Sequence, residues 1–211
     1  MQPTMAFFMP CCKRFRQFAA RLLLGVLVLV NVCYADDGAS VKAAEIRAAR
    51  DGFDLVATIA LHPNTTLEDA LQKGIALHFV IEVEISKPHG WWLSWWFNEG
   101  IGDAVRRTRI YYNFLLRRYI VDAGYVTRTA DTLERALAIM GRVDDWQILE
   151  PGALKPGLRY VGRVRVRLDP SQLAKPLQIN ALANTRWELA SPWYEWTFDA
   201  PAVVKPAPLL P

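Results

Sequence analysis

The sequence has little cysteine, and none where a folded domain would use it. All three cysteines (Cys11, Cys12 and Cys33) fall within the first 33 of 211 residues. The remaining chain therefore offers no thiol nucleophile, no cysteine metal site and no redox pair. A domain of that size buries enough core to fold without disulfides, even in an oxidising compartment. No phosphate-binding glycine loop, Gly-x-Ser-x-Gly elbow or His-Glu-x-x-His stretch occurs, and Gly100-Ile101-Gly102 is too short for a dinucleotide fingerprint. No repeat at a solenoid period is present. Acidic residues are missing from the first 35 positions, which carry four basic ones: Lys13, Arg14, Arg16 and Arg21. Beyond them 21 basic groups stand against 21 acidic ones, so the net charge of +4 belongs to the leader. The pI near 9.0 thus gives no reason to expect nucleic acid. At 52% hydrophobic and 22% charged, the chain has a globular composition, and its length favours one domain.

Long apolar runs are also lacking. The longest in the leader covers nine residues, Leu22 to Val30, and Asn31 ends it. A bilayer span needs about 20. With Lys13, Arg14 and Arg16 ahead of it and Cys33-Tyr34-Ala35 behind, residues 1–35 read as a secretory signal cleaved after Ala35. The expected location is periplasmic or secreted. The alternative is an uncleaved leader that anchors the chain to the inner membrane. Acylation at Cys33 fits poorly, because Val32 before it is bulky. Residues 36–200 are expected to form a single β-rich domain. Residues 201–211 hold four prolines and are expected to be a disordered tail.

What the mature chain does have is alternation. Val41–Arg50 and Phe53–His62 flank Asp51-Gly52, a hairpin signal in which Asp-Gly supplies the positive φ angles of a two-residue turn. Phe53, Leu55, Ala57, Ile59 and Leu61 share one face. Thr65 or Thr66 is positioned to cap a short helix, Leu67–Lys73, which Gly74 ends. Ile75, Leu77, Phe79, Ile81, Val83 and Ile85 then line one side of the strongest strand, which belongs in the middle of a sheet. Arg106–Val121 reads as one long strand, bulged where its parity changes near Leu115-Leu116. Asp131 and Glu134 have capping-box spacing at the head of a helix, Asp131–Met140. Trp146–Leu149 reads as a short strand and Tyr160–Leu168 as a longer alternating one. Leu177–Ala183 is ambiguous, and Thr185–Ala190 with Trp193–Asp199 looks like a closing pair. No βαβ alternation appears. The fold class is mainly β: an antiparallel β-sandwich or open barrel with one or two short helices.

No catalytic, cofactor-binding or metal residue stands out. His62, His78 and His89 come from three separate places. His78 and Glu82, four apart on a strand, would sit roughly 13 Å apart, too far to share an ion. Glu82 and Glu84 have a spacing that glycosidase carboxylates also show, yet alternating Glu on an exposed strand is ordinary. Two features carry more weight as a candidate interaction surface. Arg106, Arg107, Arg109, Arg117 and Arg118 lie on one expected strand, and Arg163, Arg165 and Arg167 on another. Were these strands neighbours, they would form a basic strip for an anionic partner. Cross-strand pairing with Glu82, Glu84 and Glu188 is the plainer alternative. The second feature is Trp91, Trp92, Trp95 and Trp96, followed by Phe97. These close one end of the core or form a patch for a membrane interface or partner.

A set of short motifs then gives a resemblance. They include Ala70-Leu71 and Gly74 before the long strand, Trp91-Trp92, Tyr111-Tyr112, Arg118-Tyr119, and Leu133 with Ala136-Leu137. The stretch Tyr160–Asp169, Pro176-Leu177 and the late Trp187, Trp193 and Trp196 follow in order. Over roughly residues 41–199 this order resembles the bacterial exported proteins grouped as Domain of Unknown Function 4390. The resemblance implies export and no activity. The resulting expectation is a non-enzymatic periplasmic binding or accessory module, linked to envelope sensing. Its partner would be an envelope protein, anionic lipid or glycan, with no nucleic acid and no cofactor. Alternatives are a membrane-peripheral protein held by Trp91–Phe97 and a hydrolase with an unrecognised site.

Overall fold

Period-two patterning produces strands wherever it is strong. The structure, a computed structural model, describes residues 38–88 and 99–201. The leader, His89, the Trp91–Phe97 segment and the tail beyond Pro201 lie outside them. The described residues belong to one compact unit, Asp36–Pro211.

Strands β1 (Gly38–Ala49), β2 (Gly52–His62) and β7 (Arg142–Leu149) form a three-stranded antiparallel sheet in the order β1-β2-β7. A six-stranded sheet has the order β6-β5-β4-β3-β8-β9. Its members are β3 (Leu77–Lys87), β4 (Glu99–Asn113), β5 (Arg118–Asp122), β6 (Thr127–Ala130), β8 (Arg159–Leu168) and β9 (Tyr194–Asp199). The sheets face each other, β1 against β8 and β9, and β7 against β4. Phe53 and Leu55 from one side and Phe79, Ile81 and Ile85 from the other fill the core between them. Each such fully buried side chain contributes about 1.5–3 kcal/mol by leaving water. Among the described residues, every member of this core lies between Ala39 and Ala200, within the compact unit Asp36–Pro211.

The long apolar strand is central, as its pattern requires: β3 pairs with β4 on one side and β8 on the other. Three short helices lie among the described residues: α1 (Thr65–Gln72), α2 (Leu133–Gly141) and α3 (Lys175–Ala183). Helix α2 packs on β2 and reaches over β5 and β6.

Several local expectations are corrected. Ala49 pairs with Gly52, so the hairpin loop is Arg50-Asp51, one residue earlier than Asp-Gly chemistry implies. Gly52, at φ +144, opens the strand instead of sitting in the turn. The cap of α1 is Asn64, whose side chain accepts from Leu67 N at 3.1 Å, and not a threonine. Thr132, not Asp131, caps α2 by accepting from Arg135 N. Arg106–Val121 is not one strand. Asn113 Oδ1 accepts from both Leu115 N and Leu116 N at 3.0 Å, and Arg117 adopts φ +51, so the chain reverses between β4 and β5. The parity change attributed to a bulge is this turn. Leu177–Ala183 is helical, within α3. Thr185–Ala190 does not pair with β9. Thr185–Trp187 is a 3-10 turn, and β9 pairs with β8.

Candidate functional site

The two arginine-bearing strands are separated by β3, because β3 is the more apolar strand and takes the centre. Its outward residues, His78, Glu82 and Glu84, therefore stand between them. Glu84 faces Arg163, and Glu82 faces Arg165, in the β3–β8 register. The Glu82 carboxylate accepts from Arg165 Nε through one oxygen and from Arg167 Nε through the other, the latter at 3.0 Å. Arg163 reaches Glu84 at 3.4 Å and Glu195 at 3.6 Å. Arg109 donates to Asp122 at 2.8 Å. Trp193 covers two of the cations, with Arg165 4.4 Å and Arg163 4.8 Å from its ring centre. Arg107 is exposed on the same face of β4 as Arg109. This face is a charge-compensated lattice, and Glu188 takes no part in its ion pairs.

Electrostatics here disfavours a general-acid role for Glu82. Burial raises the Glu82 carboxyl, but hydrogen bonds from Arg165 and Arg167 outweigh it and hold the group below its ordinary value. A glycosidase acid needs the opposite shift. Burial, then the Arg109 charge, lowers His78, against a raising influence from Asp169. His62 and His78 lie on different sheets. Among the described residues no group of three or more His, Cys, Asp or Glu is placed to hold a metal ion.

The inner face of the six-stranded sheet carries the less ordinary arrangement. In the β3–β4 register Arg106 stands opposite Ile81, so its side chain enters the space between the sheets. It shares that parity with Thr108 and Ile110, both buried. Its guanidinium lies 5.0 Å from the Tyr125 ring centre and 5.9 Å from that of Trp146. Arg106 Nη1 is buried with no hydrogen-bond partner. A buried donor left unmade costs about 1–3 kcal/mol.

Arg106 lines a cleft of about 180 Å³ beside Thr108, Tyr125, Arg128, Arg142 and the pair Asp144-Asp145. The sequence builds this cleft with a β-bulge. Leu55 pairs with Trp146 and Ala57 with Val143, so Asp144 and Asp145 together oppose the single residue Val56. Asp145 accordingly takes φ +50, a left-handed backbone that aspartate tolerates better than most. Bulges commonly re-aim side chains at sites of this kind. Asp145 in turn raises the Asp54 carboxyl, second to the effect of burial. Arg142 makes a long ion pair with Asp144, at 3.9 Å. Among the described residues neither Arg106 nor Arg128 has a carboxylate within ion-pair range. The volume is below that of a drug-sized pocket and suits a carboxylate or phosphate head.

In the sequence alone, Arg106 is one of a run of arginines with Arg107 and Arg109. The signal that separates it is parity: counted back from Ile110, position 106 falls on the core face. Arg128, Tyr125 and Asp145 gave no local signal, because only the tertiary fold brings them to Arg106. Of the sequence-nominated residues, the structure brings Arg163, Arg165 and Arg167 together. It places Arg107 and Arg109 across β3 from them and leaves Trp91, Trp92, Trp95 and Trp96 outside the described residues.

A family model described as a domain of unknown function, DUF4390, matches residues 36–197. No curated protein and no solved structure matches the chain.

Proposed function

The chain belongs to the DUF4390 family, whose description assigns no activity, and from that premise we propose an exported, non-enzymatic binding module that captures a compact anionic group around Arg106. The observation that carries this reading is the buried, unpartnered Arg106 Nη1. A planar guanidinium held by two aromatic rings is preorganised for a two-point contact with a carboxylate or phosphate. Arg128 and Arg142 supply further positive charge at the rim. A glycan carboxylate and a phosphorylated head group both present the required chemistry. Export is supported by the basic and apolar pattern of residues 1–35. A binding role is favoured over glycoside hydrolysis because Arg165 and Arg167 hold Glu82 as an ionised carboxylate, the wrong form for the acid that reaction needs.

The test is a titration of the Asp36–Pro211 unit with inorganic phosphate and, separately, acetate. Calorimetry and tryptophan fluorescence serve as readouts, since Trp146 borders Arg106. The expected result is saturable binding of at least one probe, weakened about tenfold or more by Arg106→Gln. Equal binding by wild type and the folded variant refutes the assignment.

A further inference from the structure

The turn between β4 and β5 presents a second surface, unconnected with the Arg106 cleft. Three consecutive large apolar side chains occupy it: Phe114, Leu115 and Leu116 are 61%, 93% and 56% exposed. The turn is held in shape. Asn113 Oδ1 accepts from two of its backbone amides, and Arg117 closes it at φ +51. Phe114 packs edge-on against Tyr112, with ring centres 5.3 Å apart, and Tyr112 lies 5.0 Å from Tyr119. Phe114 also lies beside Gly74, where an added Cβ would meet its ring. This brings the turn next to the C-terminus of α1, where Lys73 stands.

The order of chemistry along this protrusion is distinctive. An apolar point comes first, then the cations Arg117 and Arg118 with Lys73 alongside, then two tyrosines. Asp131 offsets Arg118 at 3.2 Å. Among the described residues Arg117 and Lys73 have no acidic partner. A four-residue tip is too small to make a stable protein–protein interface by itself, which needs roughly 800 Å² per partner. It is the right size to enter the boundary of a bilayer. There apolar side chains meet acyl chains, cations meet phosphate, and tyrosines favour the head-group level.

We propose that the Phe114–Arg117 tip is a membrane-docking point that inserts into the surface of an anionic lipid bilayer. This is a different contact from one made by Trp91–Phe97. That segment precedes the first residue of β4, whereas the tip follows its last. Fifteen strand residues separate the two ends by roughly 45 Å. One flat surface would engage the tip with the long axis of the six-stranded sheet steeply inclined to it.

Flotation of the Asp36–Pro211 unit tests this, using vesicles of phosphatidylcholine alone and of phosphatidylcholine mixed with phosphatidylglycerol. Circular dichroism checks each variant for fold. The wild type is expected to float with the mixed vesicles and to remain behind with the neutral ones. Leu115→Ser with Leu116→Ser should reduce the bound fraction about tenfold. Arg117→Gln should diminish the preference for anionic lipid. Trp95→Ala with Trp96→Ala should float as the wild type does. Loss of flotation in Arg106→Gln with retention in the serine variant moves the contact to the cleft and overturns the proposal. Failure of the wild type to bind any vesicle overturns the proposal, as does undiminished flotation of the double serine variant. Loss of flotation in the tryptophan variant with retention in the serine variant moves the contact to Trp91–Phe97. Dimerisation without vesicles, abolished by the serine changes, assigns the tip to a second copy of the chain and also overturns it.

Discussion

Glu82 stands directly opposite Arg165 in the β3–β8 ladder, and its carboxylate closes on that guanidinium while a second oxygen takes Arg167. One half-buried acid thereby serves two cations spaced by the strand repeat. Removing its charge leaves both arginines facing each other without an anion between them. Glu82→Gln is expected to destabilise the unit by about 1–3 kcal/mol in urea denaturation at neutral pH. The pH dependence has a definite sign. Because the folded carboxyl titrates below its ordinary value of 4.5, the unfolded chain takes up this proton first. The stabilisation is complete above 4.5 and is lost as pH falls through the folded value. Glu82→Gln should therefore flatten the acid limb of the stability curve. An unchanged limb would show that the Glu82 bridges contribute nothing there.

His78 acts in a separate window. Burial and Arg109 lower its folded value beneath 6.5. The unfolded imidazole binds its proton near 6.5 while the folded one stays neutral. Stability is thus full above 6.5 and declines as pH falls from there to the folded value, below which the loss is constant. His78→Gln removes this slope without adding a charge. Denaturation midpoints of wild type and variant at pH 7.5 and 5.5 check it. The gap between them should shift toward the variant at the lower pH.

Much of the sheet architecture is legible in β2, β3 and β8, because their apolar residues repeat every second position and one face must be buried. Turn positions were less so. Arg50-Asp51 and Asn113–Arg118 are set by hydrogen bonds and register, which compete with local Asp-Gly or Leu-Leu preferences. Thr185–Ala190 looked like a strand from its residues alone, yet Asn184 caps a 3-10 turn there by accepting from Arg186 N. The candidate cleft was the least legible. Its members come from β4, the β5–β6 turn, β6 and the bulged start of β7, and no spacing rule joins them. The arginines of β8 were visible, but their meaning depended on strand order, which two-residue periodicity does not encode.

Gly141 marks where α2 meets β2. A Cβ added there would collide with the Ile59 carbonyl oxygen, a backbone atom that cannot turn aside. The helix would have to lift, and with it Arg142 and the start of β7. Gly141→Ala is expected to cost about 2–3 kcal/mol, against the gain alanine usually brings to a helix. Thermal unfolding gives the comparison. A variant as stable as the wild type would show that the contact between α2 and β2 is loose enough to absorb a methyl group.

Asp145 offers a change of opposite direction to Arg106→Gln. Asp145 lines the cleft with Arg106 and Arg128, and its negative charge works against an incoming anion. Its left-handed backbone is retained most readily by asparagine or glycine. Asp145→Asn therefore removes the charge while preserving the bulge. Phosphate affinity should rise about two- to fivefold, with the larger effect at low ionic strength, because the repulsion being removed is screened by salt. Asp145→Gly should raise affinity similarly and add about 1 kcal/mol of stability by relieving the backbone. Asp145→Val carries neither charge nor tolerance for positive φ. It should lose stability, which distinguishes bulge geometry from electrostatics. If neutralising Asp145 leaves phosphate affinity unchanged while Arg106→Gln abolishes it, the anion contacts Arg106 from a direction remote from the bulge. If neither matters, the cleft is not where an anion binds.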